Sequence, residues 1–471
     1  MISTLTLAFS LASAATGTEI TVYNEGFGLV KETRTLKLKQ GLQNVAVEDV
    51  AEQIEANSVS IKSLGAADAF SVLEQNYQYD LISPVAILSK SVGQRVKFIR
   101  TIGNQRDVLE GVLLSSPYAV VSGPDGSNQQ TYNGMVIRTD DGRIVLSPSG
   151  EVEVLKIPDG LISKPTLIWQ LESPREGEAP ISLSYITQGM SWSSDYVLTL
   201  DGKGKADLQG WVTMNNQSGA TFENAKLKLL AGDVQRAPET RNRGAVRELA
   251  MMAKAADAGF KEESLFEYHL YTLQRPTTLK NKEIKQISLL EGLGVPVQKK
   301  LIVDGTLNFG QYYPSEGEVG TGDIKPQVRI EFTNDEASHL GMPLPKGKFK
   351  VYQRDESGSV QLLGEDNIDH TPRNEKLSIV VGRSFDVVAN RKRTNFERLS
   401  ERSVRQTFEI EVRNRKATPE TIHILERHWG DWRVTAKSQE FIKLDSNTMQ
   451  FVVTPKANQV LKVTYSVETK W

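Results

Sequence analysis

ISLSYITQGMSWSSDYVLTLDGKGKADLQGWVTMNNQSGATFENAKLKLLAGDV, residues 181–234, sets the fold class of this chain. Ile181, Leu183 and Tyr185 alternate with polar residues, as do Tyr196, Leu198 and Leu200. Leu227 and Leu229 alternate with Lys226 and Lys228. A period of two puts successive side chains on opposite faces, the mark of strands with one buried and one wet side. The joints carry turn chemistry: Asp201-Gly202-Lys203-Gly204 and Asn215-Asn216-Gln217-Ser218-Gly219 supply residues that tolerate positive φ. Short strands at this spacing predict part of an antiparallel sandwich. The chain therefore reads as all-β: multi-domain antiparallel β-sandwiches with an inserted small SH3-like barrel and one short helical or mobile insert.

Towards the amino terminus the same pattern continues. Thr21-Val22-Tyr23-Asn24 is followed by a Gly26/Gly28 turn, and residues 33–38 alternate with charge. Residues 59–64 and 70–73 read as further strands, and 80–91 as a brief helix, because Leu81, Val85 and Leu88 fall at helical spacing. Between 93 and 157 six short strands (95–100, 108–114, 119–121, 134–139, 143–146 and 152–155) suit a small barrel, since closure removes exposed edges. A peptide groove there would rest on Tyr118 and Tyr132 alone, so a spacer is the favoured role. Residues 1–17 combine an apolar run with Ala12-Ser13-Ala14, which suits leader cleavage after Ala14, although no basic residue precedes the run. That run is too short to span a bilayer, and no other stretch reaches about 18 apolar residues.

Towards the carboxyl end, residues 235–263 break the β rhythm, with a helix-favouring core at 245–256, and read as a mobile insert. Residues 304–326, with five glycines, read as a long loop. Residues 328–334 alternate cleanly, as do Phe408, Ile410 and Val412, and then Leu461, Val463, Tyr465 and Val467. The strand ends at Asn334, Asn414 and Asn215 look alike, and asparagine performing turn work is the simpler reading. The expected organisation is a leader at 1–14, an N-terminal β domain from 18–92 and 158–180, the barrel at 93–157, a central sandwich at 181–335 carrying the insert, and a C-terminal sandwich at 336–471.

At 471 residues the chain exceeds the usual limit of one core. Its 56 basic and 58 acidic side chains are mixed throughout, which gives no electrostatic case for nucleic acid as partner. Cysteine is absent, so disulfides, cysteine nucleophiles and zinc–thiolate sites are excluded together. There is no nucleophile elbow, phosphate-binding loop or zinc-binding helix motif. Of the five histidines, His423 and His428 lie five apart and fall on opposite faces of a strand. Trp429-Gly430-Asp431-Trp432 reads as a turn whose tryptophans anchor strands, with sugar stacking as the alternative. Arg391-Lys392-Arg393 with Arg398, Arg402 and Arg405 reads as a solvated surface strand, with an anionic partner as the alternative.

The densest candidate ligand group is Glu365, Asp366, Asp369 and His370. Oxygen donors plus one imidazole could hold a hard or borderline cation, while a polar loop bonding its own backbone is the favoured reading. No cofactor is expected, and no catalytic residue can be named.

Several of these runs resemble a known family. They are Tyr185-x-x-x-Gly189-x-x-Trp192-x-x-x-Tyr196, then Val212-x-x-Asn215 and Lys226-Leu227-x-Leu229. Phe266-Glu-Tyr-His-Leu-Tyr-Thr-Leu273, Gly364-Glu-Asp-x-Ile-x-His-Thr-Pro372 and Val412-Arg-Asn414 continue the series. Together they resemble bacterial exported proteins with a C-terminal domain of unknown function, labelled mucoidy-inhibitor-like, and the likeness runs from about Thr21 onward. The resemblance implies export to the periplasm or cell surface and supports the fold, and it carries no activity. The expectation is a non-catalytic envelope scaffold or binding protein whose partner is an envelope protein or polysaccharide. The alternative is an envelope hydrolase acting on glycans through a carboxylate pair.

Overall fold

Strand accounts for 64% and helix for 3% of this computed structural model, and the sheets are mostly antiparallel. The structure describes residues 10–65, 69–102, 105–116, 118–122, 128–132, 134–236, 260–304 and 321–471. The helix-favouring stretch 245–256, residues 237–259 of the insert, Asp125-Gly126 and residues 305–320 of the long loop lie outside them, as do the side chains of Tyr118 and Tyr132. Residues 260–263 belong to a strand, Phe260–Leu265, paired with Tyr268–Leu273. The chain divides into two compact units.

The first unit comprises Met1–Ser191, Asn215–Lys228 and Pro276–Glu283. The border expected at 181 is therefore displaced, because Gly177–Gln188 pairs with Phe27–Leu38 over its whole length. Gly17–Tyr23 lies on the other side of Phe27–Leu38, and Ser60–Ser63 beyond Gly177–Gln188. A second sheet places Thr166–Ser173 between Gly41–Glu48 and Ser71–Gln78, with Ser10–Leu11 running parallel to Gly41–Glu48. Ile20, Val22, Val30, Leu36, Ile181, Leu183 and Tyr185 from one sheet are wholly buried, as are Val45, Val47, Leu167, Trp169 and Leu171 from the other. Alternation sorts most of them: residues such as Lys31, Ser182 and Glu172, each next to a buried one, are at least partly exposed, so one face of each strand leaves water.

The described residues between 95 and 154 hold a five-stranded sheet and a separate hairpin. The sheet runs Ile144–Leu146, Val136–Thr139, Gln105–Ser115, Arg95–Ile102, Glu151–Val154, over a core of Val96, Phe98, Leu113, Met135 and Ile137. Among the described residues its two end strands are not paired with each other, and Tyr118–Ser122 with Asn128–Tyr132 makes the hairpin. The helix expected at 80–91 is Pro84–Lys90, begun by Ser83, whose hydroxyl accepts the Ala86 N–H at 3.0 Å.

The second unit comprises Trp192–Met214, Leu229–Arg275 and Ile284–Trp471, and it holds two cores. One gathers Tyr196, Leu198, Phe332, Phe349, Val351 and Ile379, with Tyr196 stacked on Phe349 at 4.6 Å. The other gathers Phe408, Ile410, Val412, Phe451, Val463 and Tyr465. Parallel pairings occur here as well, against the antiparallel expectation. Met190–Leu200 runs parallel to Gly347–Arg354, and Gln298–Asp304 parallel to Ile422–Arg427, because the connections between them are long enough to cross over.

The look-alike asparagines turn out to be one device used three times. Asn216, Asn334 and Asn414 are buried at strand ends, so the first is Asn216 and not its neighbour Asn215. Asn216 Nδ2 donates to the carbonyls of Ala220, Leu279 and Lys280, Asn334 Nδ2 to Met342 and Pro372, and Asn414 Nδ2 to Thr418, Pro455 and Lys456. Each therefore ties the loop after its strand to a second, distant segment by satisfying carbonyls that would otherwise be orphaned. Lys282, Asn374 and Asn458, with φ of 59°, 67° and 56°, provide a left-handed step in the segment so tied.

Candidate functional site

The stretch Gly364–Pro372 was expected as a loop, and the structure carries a strand, Val360–Ile368, through most of it. Glu365 and Asp366 consequently point to opposite faces. Glu365 reaches Lys348 at 3.5 Å, whereas Asp366 Oδ2 accepts the Val380 N–H at 2.7 Å and Oδ1 accepts the Asn367 N–H at 2.9 Å. Gly364 is required by packing, since a Cβ there would lie 2.0 Å from the Val381 carbonyl oxygen. The Asp369 carbonyl accepts from the Thr371 hydroxyl, and His370 Nδ1 accepts the Lys346 N–H at 3.2 Å. Burial lowers the His370 pKa, and Lys346 lowers it further, so the ring is neutral at physiological pH. These four side chains do not converge on one point, and among the described residues no group of three His, Asp or Glu is placed to hold a metal.

The Trp429-Gly430-Asp431-Trp432 turn also separates its aromatics. Trp432 is buried and donates to the Ser446 carbonyl at 2.8 Å, while Trp429 packs on Trp471 at 5.3 Å. The basic run splits in the same way. Arg405 is a surface residue between Glu397 and Glu468, but Arg391 is buried. That corrects the solvated reading for Arg391, which shares its inward parity with Val387 and Ala389.

Arg391 forms a fork with Glu426, Nε to Oε1 at 2.9 Å and Nη2 to Oε2 at 2.7 Å, and its guanidinium lies 4.0 Å over the Phe408 ring. The Tyr465 hydroxyl donates to Glu426 Oε2 at 2.5 Å. Burial works to raise the Glu426 carboxyl, yet Arg391 and Tyr465 hold it below its ordinary value. His428 packs beside Tyr465 and Trp432, and burial drives its pKa down to about 4.

A second buried pair, which sequence reasoning passed over, opens onto a cleft of about 610 Å³ in the first unit. Glu32 and Arg34 lie on Phe27–Leu38 at the same parity as Val30 and Leu36, so the strand carries them inward. Arg34 Nε donates to Glu32 Oε2 at 2.8 Å and Nη1 to the Glu48 carbonyl at 3.0 Å. Both side chains are almost wholly buried, at 4% and 6% exposure. Asp49, held at φ 61° where the chain leaves Gly41–Glu48, accepts from Lys164 Nζ at 2.7 Å. Glu52 and Glu223 complete the charged lining, and Ala14, Ala15 and Thr18 close another side.

The electrostatics of this cleft are uneven. Burial raises the Glu32 pKa and Asp49 adds to it, while Arg34 opposes both. Four carboxylates face two cations, a net charge of −2, and among the described residues neither Glu52 nor Glu223 has a cationic partner. The lining is largely polar and charged, with Phe222 its single aromatic among the described lining residues.

No protein-family model matches the chain, and no curated protein matches it.

Proposed function

We propose that the protein is a non-catalytic binding protein of a bacterial envelope, exported by its leader, which takes part of an envelope protein or polysaccharide into the cleft of the first unit. The resemblance to exported mucoidy-inhibitor-like proteins is part of the same proposal. One observation carries it: in a cleft of ligand size, Glu32 is tied to Arg34 and Asp49 to Lys164. Carboxylates fixed by cations shape and charge a surface, whereas a hydrolytic pair must be free to reach a bond and a water. Incubation with extracted envelope glycan should give saturable binding and no new reducing ends.

The hydrolase reading keeps one support. Burial raises the Glu32 carboxyl above its ordinary value, and a second carboxylate, Asp49, lines the same cleft, as a general acid beside a second carboxylate would require. New reducing ends that vanish in Glu32→Gln would establish that reading and overturn the first.

A further inference from the structure

We infer that cleavage after Ala14 completes this cleft by placing the α-ammonium of Ala15 among its carboxylates. The inference rests on the proposal that residues 1–14 are a removable leader. Ala14 and Ala15 both line the cleft. The residue after them is fixed: the Thr16 N–H and hydroxyl both donate to the Thr33 carbonyl, at 2.8 and 3.2 Å, and Gly17 pairs with Thr33 in the sheet. A chain starting at Ala15 is therefore tethered within one residue of a rigid strand and cannot carry its new charge far.

Before cleavage the same segment is stitched down. Ser10–Leu11 lies along Gly41–Glu48, the Ala12 N–H donates to the Ala46 carbonyl at 3.0 Å, and the Ser13 N–H donates to the Thr35 carbonyl at 3.0 Å. The Ser13 hydroxyl accepts the Thr35 N–H at 2.9 Å. In that state the Ala14–Ala15 junction is a neutral amide. Hydrolysis breaks its C–N bond, with the hydroxyl of water going to the Ala14 carbonyl carbon and a hydrogen to the Ala15 nitrogen. The leader departs as a carboxylate, and the Ala15 amine takes up a proton below its ordinary pKa of about 7.7–8.0.

The charged groups that line the cleft with Ala15 are Glu32 and Arg34 from Phe27–Leu38, Asp49 and Glu52 after Gly41–Glu48, Lys164 before Thr166–Ser173, and Glu223 near the start of Phe222–Ala231. Arg34 and Lys164 are already committed to Glu32 and Asp49. The surplus resides on Glu52 and Glu223, and a primary ammonium is the chemical class that offsets it. Export and completion of the site become one event, because the precursor lacks the cation that the mature chain has.

The test uses the chain released to begin at Ala15, with its amine either free or acetylated. Acylation of the free amine at pH 7 should be about tenfold slower than in an alanine peptide, the equivalent of one pKa unit. Glu52→Gln with Glu223→Gln, both at exposed positions, should restore the peptide rate. A raised folded pKa stabilises below the unfolded value and is lost as pH rises through the folded one. Acetylation should therefore lower Tm by roughly 2 °C at pH 7 and leave it unchanged at pH 10. A peptide-like rate without any Tm change would overturn the inference. Mass spectrometry of the exported chain separates the two failures. A first residue other than Ala15 overturns the leader proposal and this inference together, whereas an Ala15 start with peptide-like reactivity overturns this inference alone.

Discussion

Glu32–Arg34 and Glu426–Arg391 are both arginine–glutamate pairs at inward positions of sandwich strands, and all four side chains are at most 6% exposed. Their surroundings differ. Arg391 engages both Glu426 oxygens, Tyr465 adds a third donor, and Phe408 covers the guanidinium. Arg34 places its Nε and Nη2 on one oxygen of Glu32 and sends Nη1 to a backbone carbonyl, at the wall of an open cleft. The carboxyls respond oppositely: Glu426 is held below its ordinary value and Glu32 is raised above it. Burial of a charge is thus not by itself a mark of function. Glu426–Arg391 is sealed and saturated within a core, whereas Glu32–Arg34 keeps spare hydrogen-bonding capacity beside the open volume of a cleft.

The largest expected effect follows from the sealed pair. Glu426→Gln leaves the Arg391 charge buried without its counter-ion, which costs roughly 3–5 kcal/mol. Denaturant titration should show that loss. A loss below 1 kcal/mol would mean that water reaches Arg391, and the contrast between the two pairs would collapse.

His428 sharpens the same contrast through pH. Its folded pKa of about 4 lies below the ordinary 6.5, so the unfolded chain takes up the proton first. Stability should then fall as pH drops from 6.5 towards 4, by roughly 3 kcal/mol at the lower end. His428→Gln should flatten that slope. His370 and His423 are also lowered, by burial first, so the difference between variant and parent isolates His428. An unchanged slope in the variant would place the titration elsewhere.

These pairs also mark where the sequence was legible. Alternation placed Ile181, Leu183, Tyr185, Tyr196 and Leu198 inside, and all five are wholly buried. The same rule, applied to FGLVKETRTLKL, puts Glu32 and Arg34 on the face of Val30 and Leu36. Charge was taken as a sign of water, and parity was the signal that outweighed it. Arg391 was misread for the same reason, among Lys392 and Arg393. The cleft itself was not legible, because no local pattern links Asp49 to Lys164, 115 residues away, or either of them to Glu223. Sheet order brings those residues together, and one sequence does not encode that order in any short window.

Glu32→Gln is the smaller counterpart of the first change. Arg34 keeps the Glu48 carbonyl and has the cleft's water within reach, so the expected cost is roughly 1–3 kcal/mol. The pH dependence should have the opposite sign to that of Glu426. A carboxyl raised above its ordinary 4.5 is penalised at neutral pH, and the penalty is relieved as pH falls through its folded value. A carboxyl held below 4.5 stabilises at neutral pH, and that stability is lost as pH falls through its folded value. Relative to parent, Glu32→Gln should therefore remove a gain on mild acidification, and Glu426→Gln should remove a loss. Slopes of the same sign would break the comparison.

The smallest effect belongs to residues 364–372. Asp366 accepts the Val380 N–H, so Asp366→Asn exchanges a charged acceptor for a neutral one at a cost of about 1 kcal/mol. Asp369 is exposed, and Asp369→Asn should change nothing measurable. Calcium or manganese should leave Tm unchanged in the parent, because binding stabilises a fold only through ligands assembled in it. Here Glu365 and Asp366 face apart, and His370 spends one ring nitrogen on Lys346. A rise in Tm with millimolar calcium that disappears in Asp366→Asn would show that the strand rearranges to gather those ligands. With no such rise, residues 364–372 hold two strands together: Gly364 allows Val360–Ile368 to approach Lys376–Arg383, and Asp366 bonds across the contact.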